Sequence, residues 1–452
     1  MIYAITPERM RQLEEAYVSL MLMEKAAQAV ADQLPKDGRI LFLCGFGRNG
    51  GDGYAAARLF NGHASVWQLE PNKLNGDAKT NAARLKAECP QIEMLEIKEK
   101  LPPIPKDTIC IVDALFGTGL SRPIEGMALK LIKAANESGL RVISCDIPSG
   151  IHARTGEIMG CAIRATTTAT FHQPKIGLYL KDAVDFCGNI VIADIGIKEK
   201  AMDGASIILP SDLPLFRKPR LKNTHKGDYG RVLIIAGKTG MAGAAAICAK
   251  AAIAAGAGLT TIACDENIMP ILQTLVPCAM CVPMAEIASA IEKADVIAIG
   301  PGLGASDERL PIVRAVLNAS KPTVWDADAL NILAKHSGLR PQSENNIFTP
   351  HPGEAARLGK MPVGTTVLKG ATSIITSGTK TALNIIGTPA MAKGGSGDAL
   401  TGIIAALYAQ NSQNPFLAAQ LGCLLHGMAG CAAAEKTGEN AMDAFHLIAH
   451  IS

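Results

Sequence analysis

The sequence has few aromatic residues, little charge and almost no charge imbalance. Phe, Trp and Tyr make up 4% of its 452 residues, charged residues make up 19%, and the formal net charge is +3. Such a balance lacks the electrostatic footprint of a nucleic-acid binder or of a protein drawn to anionic lipid. Met1–Leu13 lacks a basic segment followed by an apolar core, so no secretory signal is expected there. Zinc spacing is also missing: Cys278 and Cys281 form one C-x-x-C pair, with no second pair or histidines at ligand spacing to complete it. The twelve cysteines fall mostly singly in strand-like runs, as reduced buried thiols do in cytoplasmic proteins. The longest apolar stretch, "MAGAAAICAKAAIAAGAGLTTIAC", has Lys250 in its middle and is broken by "AGAG". It reads as a buried Ala-rich helix running into a strand rather than a membrane span. A cytoplasmic protein with neither nucleic acid nor membrane as partner is expected.

Glycine and apolar residues are abundant. Hydrophobic residues reach 48% and Gly numbers 44, which favours helices packed closely on sheets. The length allows two domains. Strand-like runs such as "RILFLCG", "TICIVDALFGTG", "RVISCDIPSG", "RVLIIAG" and "VIAIGPGLG" alternate with helical ones in both halves. They are continuous rather than alternating, as in parallel strands covered on both faces. "LPSDLPLFRKPRLKNTHKGDYG", rich in proline and basic residues, separates the halves, giving domains 1–211 and 212–452. Polar and glycine-rich punctuation follows the strands, where ligands bind in open parallel sheets.

"GFGRNGGDG" opens as G-x-G-x-x-G after a strand, and Glu70 lies 20 positions after Gly50. Taken alone this is the dinucleotide fingerprint of a dehydrogenase, or a plain surface turn. "NGGDG" does not belong to that fingerprint, and no separate domain for hydride transfer is evident. Two further strand ends supply Asp113 in "VDALFGTGL" and Asp146 with Ser149 in "CDIPSG". Asn49, Asp113 and Ser149 offer the oxygen ligands a hard cation takes, although each could simply cap a helix. In the second half, "MAKGGSGDALTG" places glycines, a serine and Asp398 at a helix start. Backbone N–H groups there suit an anion, and the carboxylate suits a base toward a hydroxyl being phosphorylated.

In order, "NGGDG", "DALFGTGL", "CDIPSG" and "TFHQPKIGL" resemble the epimerase domain of the NAD(P)H-hydrate repair enzymes. "THKGDYG", "GMAGAA", "IGPGLG", "DADALN", "TPHPGE", "VLKGATSII" and "GGSGD" resemble their ADP-dependent (in eukaryotes ATP-dependent) dehydratase domain. The resemblance implies an α/β protein of two three-layer domains, the first Rossmann-like and the second ribokinase-like. It also implies that a dinucleotide is substrate rather than cofactor: NAD(P)H hydrated at C6 is epimerised in the first domain, and its S form is dehydrated in the second.

Carried over, Arg48, Asn49, Gly50, Gly51 and Asp52 contact the hydrate, as do Gly117, Thr118, Gly119, Leu120, Ser121, Arg122 and Pro123. Asn49, Asp113 and Ser149 hold potassium, and Asp146 faces the reacting ring. Lys369, Gly370, Ala371, Thr372, Ser373 and Gly397 bind ADP, with magnesium accompanying the nucleotide. Ala244, Gly302, His351 and Asp398 line the second hydrate site, with Asp398 as base. A homo-oligomer is expected.

Two departures stand out. Arg48 replaces the usual Asn, and the segment between Leu358 and Lys369 is too short for the helix relatives carry there, which would weaken ADP binding or expose a partner surface. A vitamin or sugar kinase with a nucleotide-binding first half, and a degenerate binding module, are the rival readings.

Overall fold

The continuous Val, Ile and Leu runs form mostly parallel strands, and each strand deals alternate side chains to opposite faces. The computed structural model describes residues 1–216, 221–410 and 414–451, which fall into two compact units. One unit is Ile2–Ala205; the other is the chain from Ser206 onward together with Met1. The expected boundary at Ser211 falls in the short turn Pro210–Asp212, just past that division.

The first unit opens with β1 (Ile2–Ala4), α1 (Pro7–Glu14) and α2 (Ser19–Ala31). Then follow β2 (Arg39–Cys44), α3 (Arg48–Leu59), β3 (His63–Leu69), α4 (Gly76–Glu88) and β4 (Glu93–Ile97). It continues through β5 (Thr108–Ala114), α5 (Gly126–Glu137), β6 (Arg141–Cys145), β7 (Thr167–Phe171) and β8 (Asn189–Ala193). The sheet order β4-β3-β2-β5-β6-β7-β8 is parallel throughout. From β2 the chain winds outward one way to β4, then returns to β5 and winds the other way. The switch therefore lies between β2 and β5, and a crevice opens outside their carboxyl ends. Ile40, Phe42 and Cys44 enter a core with α1, α2 and α3, while Leu41 and Leu43 enter a second core with α5, so helices cover both faces.

The second unit runs from β9 (Ala205–Ile207) through α6 (Leu213–Phe216), β10 (Arg231–Ile235), α7 (Ala242–Ala254) and β11 (Leu259–Cys264). It proceeds by α8 (Met269–Leu275), β12 (Met280–Pro283), α9 (Ile287–Lys293), β13 (Val296–Ile299) and α10 (Leu310–Ala319). Next come β14 (Thr323–Trp325), α11 (Ala327–Lys335), β15 (Asn346–Phe348), α12 (Pro352–Leu358) and β16 (Thr365–Leu368). β17 (Ser373–Ser377), β18 (Lys380–Asn384), α13 (Ser396–Gln410), α14 (Pro415–Thr437) and α15 (Ala444–Ala449) close it. Its sheet runs β9-β18-β17-β16-β15-β14-β13-β10-β11-β12, with only β17 antiparallel to its neighbours. Val232 and Ile234 face one core and Leu233 and Ile235 the other, so this unit is also three-layered.

The Met241–Cys264 stretch is the helix-then-strand its composition indicates. α14 is long and apolar enough to cross a bilayer, yet most of it is buried in the core of this unit. Small residues carry the closest helix contact. A side chain on Gly402 of α13 would put its Cβ 2.1 Å from the Cys248 carbonyl oxygen of α7. Between Leu358 and β16 the chain crosses without a helix, and Arg340 donates to the Leu358 carbonyl at 3.3 Å and to that of Lys360.

Candidate functional sites

At the switch of the first unit, the turn after β2 lies directly on the end of β5. A Cβ on Gly45 would fall 2.0 Å from the Leu115 carbonyl oxygen, and one on Gly50 would fall 1.9 Å from that of Gly45. Only glycine permits this approach. Gly47 precedes α3 in extended conformation and no side chain caps the helix, so its first N–H groups are left for a ligand.

A cavity of about 750 Å³ opens at this point. Arg48, Asn49 and Asp52 line it from the first turns of α3, and Asp146 lines it from the end of β6. The loop after β5 contributes Gly117, Thr118, Gly119, Leu120, Ser121 and Arg122. Gly50, Gly51 and Pro123 are not in its wall. Gly51 is buried against Met23 and Ala78, and a side chain on Gly50 would strike the Gly45 carbonyl, so packing alone requires glycine at both positions.

Asn49 and Ser149 converge on the Phe116 carbonyl, and Asp113 joins them through Ser149. Ser149 Oγ lies 3.1 Å from that oxygen and donates to Asp113 Oδ1 at 2.5 Å, while Asn49 Nδ2 donates to the same carbonyl at 3.0 Å. Asp113 is fully buried, and its bonds come from Ser144, Ser149 and the Leu115 N–H. None of these donors is cationic. Burial pushes the Asp113 carboxyl up, and the hydrogen bonds oppose that shift. A buried carboxylate with neutral donors and a convergent carbonyl fits a monovalent cation.

Asp146 adopts φ +62°, a left-handed conformation that costs a non-glycine residue about 1–3 kcal/mol and clusters at functional sites. Lys175, 1% exposed, pairs with Asp146 Oδ1, which Thr170 Oγ1 also approaches at 3.3 Å. The opposite oxygen, Oδ2, takes part in neither contact. Burial first, then the charges of Asp146 and Glu14, push Asp52 well above the ordinary carboxylate range. Burial likewise raises Glu14, which lies 3.6 Å from Arg48. Lys175 and Glu14 are wall residues that the motifs did not single out. A lone lysine inside the apolar "TFHQPKIGL" was the available signal for Lys175; Glu14, at the end of an ordinary amphipathic helix, gave none.

In the second unit the switch lies between β10 and β13, and Ala244 and Gly302 meet there. Gly302 has φ +59°, and a Cβ on it would stand 3.1 Å from that of Ala244. Gly395, at φ +88°, turns the chain into α13. Asp398 sits in the first turn of α13, and burial, followed by the charge of Asp326, raises its carboxyl to about 7. Lys369, just past β16, pairs with Asp326 at 2.8 Å. A Cβ on Gly397 would be 3.5 Å from the Lys369 ammonium, so that charge lies on the glycine-rich turn. Gly370, Ala371 and Thr372 form the bend between β16 and β17, and Ser373 begins β17.

His351 is different. It caps α12, its Nδ1 accepting from the N–H groups of Gly353 and Glu354 at 3.0 and 3.4 Å. Only Nδ1 is taken up by the cap: the side chain is half exposed, and its Nε2 lies 3.5 Å from Glu354. Another histidine, the buried His426, supports the glycine-rich turn by donating to the Ser396 carbonyl at 2.9 Å, and burial lowers its pKa to about 4.

Comparison with known proteins agrees with both halves. Residues 19–177 match the model described as YjeF-related protein N-terminus, and residues 232–452 match that of NAD(P)H-hydrate dehydratase. The bifunctional NAD(P)H-hydrate repair enzyme of Coxiella burnetii is 37% identical, over 95% of this chain and 92% of its own. That of Escherichia coli K12 is also 37% identical, over 93% of this chain and 85% of its own. Among solved structures, a ribokinase-like superfamily protein from Enterococcus faecalis V583 is 27% identical with a TM-score of 0.51, covering 56% of this chain and 96% of that one.

Proposed function

Since the chain belongs to the bifunctional NAD(P)H-hydrate repair enzymes, we propose that it epimerises NAD(P)H hydrate and dehydrates the S form at the expense of ADP. We assign the first activity to residues 1–211 and the second to 212–452. The observation that carries the reading is the cavity of the first unit, which joins Asp146 to both glycine-rich loops at the sheet's switch point.

The C6 hydroxyl of the hydrate sits beside a ring nitrogen whose lone pair can expel it, and water can return on either face. Asp146 hands a proton to the departing hydroxyl and takes one from the returning water, which scrambles R and S. Its Oδ1 is held by Lys175, so Oδ2 is the oxygen presented to substrate. Arg48 and Arg122 in the wall, with the N–H groups of α3, suit the pyrophosphate. Asn49, Asp113 and Ser149 would hold potassium, which would offset the buried charge of Asp113 and fix the loop after β5.

In the second unit Lys369 and the turn before α13 receive the ADP phosphates, with Gly370 to Ser373 beside them. Asp398 takes the proton of the C6 hydroxyl as its oxygen attacks the β-phosphorus, and AMP leaves. The hydrate then carries a good leaving group. Loss of phosphate together with the C5 proton restores NAD(P)H. Magnesium is expected with the nucleotide, but Asp326 and Glu354 are already engaged by Lys369, Thr401 and the His351 N–H, so neither is assigned to it. A cytoplasmic homo-oligomer completes the reading.

The test is to incubate the whole chain with mixed R and S hydrates, with and without ADP. Without ADP the two forms should equilibrate; with ADP both should be consumed while the absorbance of reduced nicotinamide returns. A stable phosphorylated product with no return of absorbance would mean a small-molecule kinase instead. Binding without turnover would mean a degenerate module.

A further inference from the structure

We infer that Asp326 is the positioning residue of the second site, holding the Lys369 ammonium on the glycine-rich turn and tying that turn to the end of β14. The inference rests on the dehydratase reading for its substrate, but not for its geometry. Asp326 stands at the N-cap position of α11, where an aspartate ordinarily bonds to its own helix. Here it makes no such bond. Its Oδ1 accepts from Lys369 at 2.8 Å, and its Oδ2 accepts from the Thr401 hydroxyl at 2.7 Å. Thr401 lies one helical turn beyond Gly397, whose carbonyl is 3.2 Å from the same hydroxyl. One carboxylate, 1% exposed, thus spans from β14 to the strand end that carries Lys369 and to the helix that carries Asp398. The next residue, Ala327, is held at φ +46°, a conformation an alanine rarely adopts, so the backbone departs from its preference where this carboxylate is aimed.

Two consequences follow for the chemistry. A lysine fixed before the nucleotide arrives loses little freedom on binding, so the phosphates meet a prepared ammonium. Glu354 cannot substitute as the anchor: its nearer oxygen is 3.9 Å from Lys369 and is bonded to the His351 N–H. Asp326 also opposes ionisation of Asp398. The charged groups bearing on Asp398 are Asp326 and Asp328, which disfavour the carboxylate, and Lys369, which favours it. Neutralising Asp326 removes one repulsion and frees the lysine, and both changes let Asp398 ionise at lower pH.

The test compares Asp326→Asn with Thr401→Val in the full chain. Three measurements decide: ADP affinity by calorimetry, the pH dependence of single-turnover dehydration, and the titration of the Asp398 carboxyl by carbon NMR. Asp326→Asn should weaken ADP on the order of tenfold to a hundredfold, the range of a lost charged hydrogen bond. It should also move the acid limb of the rate profile, and the Asp398 titration with it, down by about one pH unit. Thr401→Val keeps the charge, so it should weaken ADP to a smaller degree and leave the titration in place, with Thr401→Ser restoring affinity. A general loss of stability would not move a titration. Unchanged ADP affinity in Asp326→Asn, or an unmoved Asp398 titration, overturns the inference. If Asp326→Asn does not fold, wild-type affinity in Thr401→Val overturns it, and weakened affinity rescued by Thr401→Ser upholds it. Should the wild-type chain turn over no hydrate, the dehydratase reading fails, while ADP binding and the NMR titration still judge Asp326.

Discussion

Asp398→Asn separates a base from a structural residue because it changes rate and stability in opposite directions. The wild-type carboxyl titrates at about 7. About one tenth of it is ionised at pH 6 and about nine tenths at pH 8, so base-dependent turnover should rise about tenfold over that interval. The amide cannot take the proton. Turnover should fall by ~100- to 10,000-fold and lose its dependence on pH, while ADP still binds.

Stability should move the other way. Between the ordinary value of 3.8 and about 7, the folded protein retains a proton that the unfolded chain has lost. Ionisation therefore costs the fold increasingly as pH climbs through that window, and the cost is complete above it. At about 1.4 kcal/mol per unit, the gap sets an upper figure of about 4 kcal/mol. Asn carries no such cost, so the variant should melt higher than wild type at pH 8, with the advantage shrinking toward pH 4. The assays are calorimetric melting at both pH values and single-turnover formation of reduced nicotinamide from the S hydrate. Near-wild-type turnover, or the same stability change at pH 4 and pH 8, would refute the assignment.

Asp113→Ala should abolish the potassium dependence of epimerisation and slow it, with dehydration of S hydrate unchanged; equal loss of both activities would merge the two sites. Asp52→Asn keeps the shape of the cavity wall but removes a proton, so epimerisation should slow while hydrate still binds, as measured by calorimetry; an unchanged rate would leave Asp52 a contact only. Gly402→Val forces α13 away from α7, since its Cβ would meet the Cys248 carbonyl, and should destabilise the second unit by about 1–3 kcal/mol in urea unfolding while epimerisation persists.

Much of this fold was legible because its signals are local. Continuous Val/Ile runs such as "RILFLC" and "RVLIIAG" name buried parallel strands, and glycines at their ends name the turns. Asp113, Asp146 and Asp398 stood out because each follows a strand or opens a helix beside glycine. What stayed hidden depends on distance in sequence. Lys175 is 29 residues from Asp146, and Asp326 is 43 from Lys369, so no spacing announces either pair. His351 shows another limit: the motif "TPHPGE" marks a position, and a His three residues before Glu354 is also a capping box, whose Nδ1 serves the cap. Gly50 and Gly51 belong to the binding motif, yet only the approach of Gly45, Met23 and Ala78 explains why they must be glycine.

The two units, different in strand order, arrive at the same electrostatic arrangement. Each places an aspartate at a strand end where the backbone is forced left-handed: at Asp146 itself in one, at Ala327 after Asp326 in the other. Each pairs that aspartate with a lysine from distant sequence, Lys175 or Lys369. Each then sets a second carboxyl nearby that burial raises first and the paired aspartate raises next, Asp52 in one unit and Asp398 in the other. A carboxyl that holds its proton more tightly beside one tied to a lysine gives each site two carboxyls set apart by their environments rather than their identities. Both proposed reactions begin at the same C6 hydroxyl, which must gain a proton to leave as water or lose one to become a phosphate ester. One arrangement of charge can serve either outcome. What the second unit adds is an ammonium on a glycine-rich turn, where a phosphoryl group can be held.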